Sequence, residues 1–148
     1  MAPLAVSLGD PAGIGPEIIA RAWTRRQEDA LPPFLAIGDA RAIRAVWDGP
    51  IATLSDPAMA ASAFAEALPL IQVDDPGEII PGQPNLAGAR CALDSLELAC
   101  GLARQGMASG LVTGPVSKAQ LGAIGFAYPG QTEFVAERCG VATPNAVM

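Results

Sequence analysis

Three short segments gather the residue types that could do chemistry, and each stands where an apolar run gives way to a helical pattern. The first is Gly9-Asp10-Pro11-Ala12-Gly13-Ile14-Gly15-Pro16-Glu17, a glycine-rich turn leading into a helix start, where an anion can be held by backbone N–H groups. Its spacing, G-x-x-x-G-x-G, is neither the dinucleotide fingerprint nor a Walker loop. Asp10 makes the turn a candidate ligand contact; the alternative is that the glycines only permit a tight turn. The second segment, Thr113-Gly114-Pro115-Val116-Ser117-Lys118, offers backbone donors, a hydroxyl and a full positive charge to a phosphate or carboxylate. A lysine at a helix start is disfavoured by the helix dipole, which points to a task other than helix stability. The third, Tyr128-Pro129-Gly130-Gln131-Thr132-Glu133-Phe134, presents Gln131 as an uncharged donor and acceptor, with Thr132 as the expected cap of the following helix.

What is missing narrows the chemistry further. The chain has no histidine, which removes Ser-His and Cys-His catalysis and histidine metal sites from anything it does alone. Cys91, Cys100 and Cys139 are odd in number and never spaced C-x-x-C, so neither a disulfide framework nor a zinc knuckle is expected, and a reducing compartment fits best. A net charge of −6 with no basic block argues against nucleic acid. No apolar stretch reaches the length of a membrane span, and the N-terminal apolar run is broken at Gly9-Asp10-Pro11, so a strand is expected there, not a signal peptide. A soluble, cytoplasmic protein follows as the expectation. At 148 residues the chain is long enough for one domain with a core of its own.

The elements that must hold these segments alternate between strand and helix. A strand over about Leu4 to Leu8 precedes a helix opening near Pro16, with Ile18, Ile19, Ala22 and Trp23 on its inner face. A second strand, Phe34 to Ile37, precedes a helix whose inner face is Ala42, Ile43, Val46 and Trp47; Asp39 either caps that helix or imitates a ribose-binding acid, and capping is the commoner role. A third unit pairs a strand over Ile51 to Leu54 with a helix starting at Ser55-Asp56-Pro57 and burying Ala60, Phe64, Ala67 and Leu68. The stretch from Asp74 to Asn85 carries too many Pro and Gly for either element and reads as an irregular connection, a candidate crossing between lobes. A long helix spans Leu86 to Arg104, with Leu86, Ala89, Leu93, Leu96, Cys100 and Ala103 inward. A strand over Gly110 to Thr113, a helix to about Ile124, a last helix from about Thr132 to Cys139 ending at Gly140, and a new apolar run at Ala146-Val147-Met148 complete the pattern. Such alternation argues an α/β fold on a mostly parallel sheet, with sites outside the carboxyl ends of the strands.

The order GDPAGIGPE, TGPVSK, PGQTEF resembles the 4-hydroxythreonine-4-phosphate dehydrogenase family of pyridoxal phosphate biosynthesis over the whole chain. The resemblance implies an isopropylmalate-dehydrogenase-like two-lobed α/β fold, of which this is the N-terminal portion: residues 1–128 as an incomplete first lobe and 129–148 as the start of a second. It also implies a homodimer that uses NAD or NADP and a divalent metal (Zn, Mg or Co) to oxidise and decarboxylate a small phosphorylated substrate. In that family a His-Thr pair contacts substrate; the matching residues here are Gln131 and Thr132, so the threonine agrees and the histidine does not. Lys118 and Asp10 lie in the other matching motifs and are expected to face phosphate or the reacting centre. The family's metal ligands are three histidines further along than this chain reaches, so the 148 residues are expected to be inactive alone and part of a longer or truncated product. Gln131 also leaves room for a relative that oxidises another hydroxy acid or a dihydrodiol. A third possibility is a non-catalytic α/β module that binds an anion or a protein.

Overall fold

The structure is a computed structural model and describes residues 1–73 and 77–142. Among them, β1 (Leu4–Ser7), β2 (Phe34–Gly38), β3 (Ile51–Thr53), β4 (Leu68–Gln72) and β5 (Gly110–Thr113) form one sheet in the order β3-β4-β2-β1-β5. Every neighbouring pair is parallel, with Leu4 opposite both Phe34 and Gly110. The expected α/β class is therefore observed.

The helices are α1 (Gly15–Thr24), α2 (Ala40–Arg44), α3 (Ala60–Ala63), α4 (Leu86–Arg104), α5 (Lys118–Ala123) and α6 (Gln131–Arg138). Strand side chains alternate between two faces, and each face meets its own helices. Val6, Phe34, Ala36 and Leu70 pack with Ile19, Trp23 and Ile43 of α1 and α2. On the opposite face Ala5, Leu35 and Ile37 pack with Ala99 and Leu102 of α4. Both central strands are thus covered on two sides, which is why β2 reads as an unbroken apolar run. The buried Trp23 indole is satisfied by donating to the Phe64 carbonyl oxygen at 3.0 Å.

Several expectations are corrected by packing. β4 was absent from the pattern because Pro69 sits inside it and Leu68 fits the preceding helical spacing. Pro69 is tolerated because the ladder with β2 begins one residue later, at Leu70 opposite Ala36, so the missing N–H falls before it. The third helix is consequently short, a 3-10 turn over Pro57–Met59 capped by Asp56 and then α3. α2 stops at Arg44, leaving Val46 exposed, while Trp47 packs edge-on against Trp23 at 5.6 Å. On α4 the expected Ala89, Leu96 and Cys100 are buried, together with Gly88, Cys91, Ala92, Ser95, Ala99 and Leu102, whereas Leu86 is exposed and Leu93 and Ala103 are half-buried. The apolar run at Ala146-Val147-Met148 lies outside the described residues.

In α1, Ile19 is 5% exposed and Ile18 49% exposed, so only one of the two isoleucines expected inward is in the core. Ile19→Ala should lower unfolding free energy by about 2–4 kcal/mol, and Ile18→Ala by less than about 1 kcal/mol, in urea unfolding with unchanged m-values. Equal losses at the two positions would contradict this placement of α1.

Candidate functional site at the strand ends

Two chain reversals meet where β1 and β5 end. The Asp10 N–H donates to the Pro115 carbonyl oxygen at 2.9 Å, and the Gly114 N–H donates to the Ser7 carbonyl oxygen at 2.8 Å. The approach is close enough that a Cβ on Gly9 would overlap the Pro115 carbonyl, and one on Gly114 would press on the carbonyls of Ser7 and Leu8 at 2.5 Å. Gly9 also has φ +74°, a left-handed conformation that side chains resist. A Cβ on Gly15 would overlap the Leu8 carbonyl oxygen. The space these glycines open is thus taken by the protein's own backbone.

Asp10 is 3% exposed, and its Oδ1 accepts from the Ala12 N–H at 2.9 Å. Its Oδ2 is buried with no hydrogen-bond partner among the described residues. Asp10 lines a cavity of about 240 Å³ together with Gly13, Gly82, Pro84 and Ser117. Gly82 belongs to the irregular connection after β4, which folds back onto the first turn by donating its N–H to the Ala12 carbonyl at 2.7 Å. Asn85 ends that connection by capping α4, its Oδ1 accepting from Gly88 N–H at 2.7 Å. Neither contribution to the site was legible in the sequence, although Asn three residues before the first buried glycine of α4 is a recognisable cap.

A second cavity, of about 310 Å³, lies on the other side of Val116. Here the structure brings together Lys118, Gln131 and Thr132, with Thr113 and Tyr128 completing the wall. Lys118 is exposed at the rim and is the first residue of α5, whose N-cap is Ser117, accepting from Gln120 N–H at 3.4 Å. With only six residues α5 contributes little dipole, so the charge at this wall is that of Lys118 itself. Gln131 opens α6, and its Nε2 donates to the Gly114 carbonyl oxygen at 3.1 Å. A carbonyl only accepts, so the amide orientation is settled: nitrogen toward Gly114, and Oε1 buried without a partner. The cap of α6 is Gly130, not Thr132, which is the second residue of the helix and keeps its hydroxyl off the cap position. Phe126 and Tyr128, both in this wall, pack edge-on or tilted with each other and with Phe134, ring centroids 5.1–5.7 Å apart. A hydrogen bond with Glu137 holds the Tyr128 hydroxyl proton above its usual range.

Of the four candidate residues, three therefore share one cavity, and Asp10 occupies its neighbour across the Pro115–Ser117 turn. Asp39 is a structural residue: its carboxylate caps α2 through the Arg41 N–H at 2.8 Å and pairs with the Arg41 guanidinium at 2.9 Å. Cys91 and Cys100 are buried, as expected for Cys100. Burial, then Asp39, push the Cys91 thiol up to about 12, which makes it inert. Among the described residues no group of three or more acidic or sulfur side chains could hold a metal ion, so a divalent metal does not fit these residues by themselves. Among the same residues no helix is long and apolar enough to cross a membrane.

Parallel strands with cavities at their carboxyl ends, and an ammonium, an amide and a hydroxyl around one of them, define an α/β protein with a polar cavity where sites of such folds lie. The chain belongs to the PdxA family, described as pyridoxal phosphate biosynthetic protein PdxA, which matches residues 30–148. It is 55% identical to 4-hydroxythreonine-4-phosphate dehydrogenase of Zymomonas mobilis over all 148 residues, covering 44% of that protein. It is similar to the crystal structure of 4-hydroxythreonine-4-phosphate dehydrogenase from Klebsiella pneumoniae, with TM-score 0.77 and 28% identity, over 96% of this chain and 46% of that one. A terephthalate 1,2-cis-dihydrodiol dehydrogenase from Burkholderia xenovorans LB400 matches with TM-score 0.69 and 26% identity, over 93% of this chain and 40% of that one. The chain spans somewhat less than half the length of these proteins.

The contact between the two turns generates a direct prediction. Gly114→Ala should cost roughly 2–4 kcal/mol, because backbone on both sides must move. Gly13→Ala, whose Cβ would stand 3.3 Å from the Asp10 carbonyl oxygen, should cost less than about 1 kcal/mol. Chemical denaturation of both variants measures the difference, and a tolerated alanine at 114 would contradict the close approach.

Proposed function

We propose that the protein is a dehydrogenase that oxidises and decarboxylates 4-phosphohydroxy-L-threonine to 3-amino-2-oxopropyl phosphate, and that this chain supplies part of its substrate cleft. The names of the relatives support the reaction class, and one observation carries the site assignment. Gln131 donates through Nε2 to the Gly114 carbonyl and leaves Oε1 as a buried acceptor with no partner. A neutral imidazole has the same pair, one N–H and one acceptor nitrogen, so glutamine reproduces the hydrogen-bond pattern of the family's histidine without its proton. The role of the position is then to orient a substrate hydroxyl or ammonium, and Thr132 supplies a second hydroxyl contact. Lys118 at the rim attracts the phosphate. Asp10 Oδ2 accepts from a donor group of the ligand in the adjoining cavity.

Oxidation of a secondary alcohol needs a hydride acceptor, which we take to be NAD or NADP; a divalent metal would polarise the oxygen. Both are assigned to residues outside this chain, whose own residues bind and orient the substrate. The lobe boundary after residue 128 and the homodimer belong to the same proposal. In it α6 opens the second lobe while resting on α4 through Arg138 Nε and Glu97 Oε1, 2.7 Å apart.

A second reading, oxidation of a dihydrodiol or another hydroxy acid, is favoured by the cis-dihydrodiol dehydrogenase structure and by Gln131 itself. Steady-state NADH formation by the full-length protein separates the two. Gln131→His should keep kcat/KM for the phosphorylated substrate within about threefold, since the hydrogen bonds survive, and Gln131→Glu should lower it at least tenfold, since an oxygen would then face the Gly114 carbonyl. Oxidation of a dihydrodiol with indifference to the phosphorylated substrate would select the second reading. Asp10→Asn preserves the acceptor for Ala12 N–H and replaces the free oxygen by a donor. It should therefore reduce kcat/KM tenfold or more with a Tm change of only a few degrees. Unaltered kinetics would remove Asp10 from the site.

A further inference from the structure

α6 brings Gln131 and Thr132 to the wall of the second cavity with its first two residues, and it is tied down again at the opposite end. Arg138, its last residue, places Nε 2.7 and 3.0 Å from the two carboxylate oxygens of Glu97. The same guanidinium lies over the Phe134 ring, 4.4 Å from its centroid. Phe134 is buried and in ring contact with Phe126 and Tyr128, both of which line the cavity. Glu97 stands on α4, whose Ala99 and Leu102 pack against the central strands, so its carboxylate is borne by an element fixed to the sheet. The front of α6 is held by a neutral hydrogen bond, Gln131 Nε2 to the Gly114 carbonyl oxygen at 3.1 Å. Charge-assisted hydrogen bonds such as those between Arg138 and Glu97 are roughly twice as strong as neutral ones.

We propose that Arg138, held by Glu97, is a positioning residue for substrate binding: the pair fixes the tilt of α6 and thereby the places of Gln131 Oε1 and the Thr132 hydroxyl. The inference rests on the reading that this cavity takes the phosphorylated hydroxy acid. Arg138 and Glu97 lie outside the walls of both cavities, so they act through the helix. An eight-residue helix is a rod about 12 Å long, and freeing one end lets it pivot about the other. With the pair broken, α6 keeps its aromatic contacts and turns about the Gln131–Gly114 bond. The substrate then loses the alignment of two partners. The nicotinamide, assigned to residues outside this chain, loses nothing.

Steady-state NADH formation by the full-length protein, with hydrogen exchange at the α6 amides, tests the proposal. Arg138→Gln and Glu97→Gln should each raise KM for 4-phosphohydroxy-L-threonine about fivefold and speed exchange in α6. Both should leave kcat and the KM for the dinucleotide within about twofold and Tm within a few degrees, because the pair is partly exposed. The double variant should be no worse than either single one, since each removes the same interaction. Unchanged substrate KM in both single variants, additive losses in the double variant, or parallel rises in both KM values with a fallen Tm would overturn the proposal. A wild type that does not turn over the phosphorylated substrate would instead reject the functional reading; the exchange data then decide the clamp, and unaltered exchange in the variants would overturn it.

Discussion

The site depends on the contact between the turns that leave β1 and β5, where backbone meets backbone with no side chain between. Gly9 and Gly114 make the contact sterically feasible, and the Asp10–Pro115 and Gly114–Ser7 hydrogen bonds fix its register. Asp10 is carried into its cavity by the first turn. The Gly114 carbonyl, presented by the second, anchors Gln131 and with it the start of α6. A side chain at either glycine would therefore disturb both cavities and the helix that closes one of them, although neither glycine touches the ligand space through a side chain.

Much of this frame was legible in the chain itself. Period and breakers located β1, β2, β5, α4 and the left-handed Gly140, and they identified Asp39 as a cap, because each of those depends on local sequence alone. β4 was hidden because a proline in a strand imitates a breaker until its neighbours are known. On α4 the expected Ala89, Leu96 and Cys100 are buried, while Leu86, Leu93 and Ala103 give way to the small residues Gly88, Ala92, Ser95 and Ala99, a preference that hydrophobicity alone does not rank. The three motifs fall on turns that line two neighbouring cavities. What local spacing could not reveal was that Gly82 and Pro84 arrive from a distant connection, or that Asp10 stands in a cavity separate from Lys118, Gln131 and Thr132.

Among the described residues Asp10 Oδ2 and Gln131 Oε1 are buried oxygens without hydrogen-bond partners. Such atoms are uncommon in folded proteins and costly to retain, and the proposed function gives both of them a partner in a ligand bearing hydrogen-bond donors. Lys118 adds an exposed positive charge at the wall of the second cavity, where the proposed function puts the phosphate. In the proposed reading Gln131 keeps a donor toward the Gly114 carbonyl and a buried acceptor without carrying a proton, so orientation is its role there and proton transfer falls to other groups.

The central claim is that the cavity between the β5–α5 turn and the start of α6 receives the phosphorylated hydroxy acid. A crystal structure of the full-length protein with 4-phosphohydroxy-L-threonine, without oxidised nicotinamide to prevent turnover, tests it most directly. The account predicts a substrate donor group within hydrogen-bond distance of Gln131 Oε1, a polar contact to the Thr132 hydroxyl, and the phosphate on the side of Lys118. A substrate seated elsewhere, with Gln131 Oε1 still unpartnered, would contradict it.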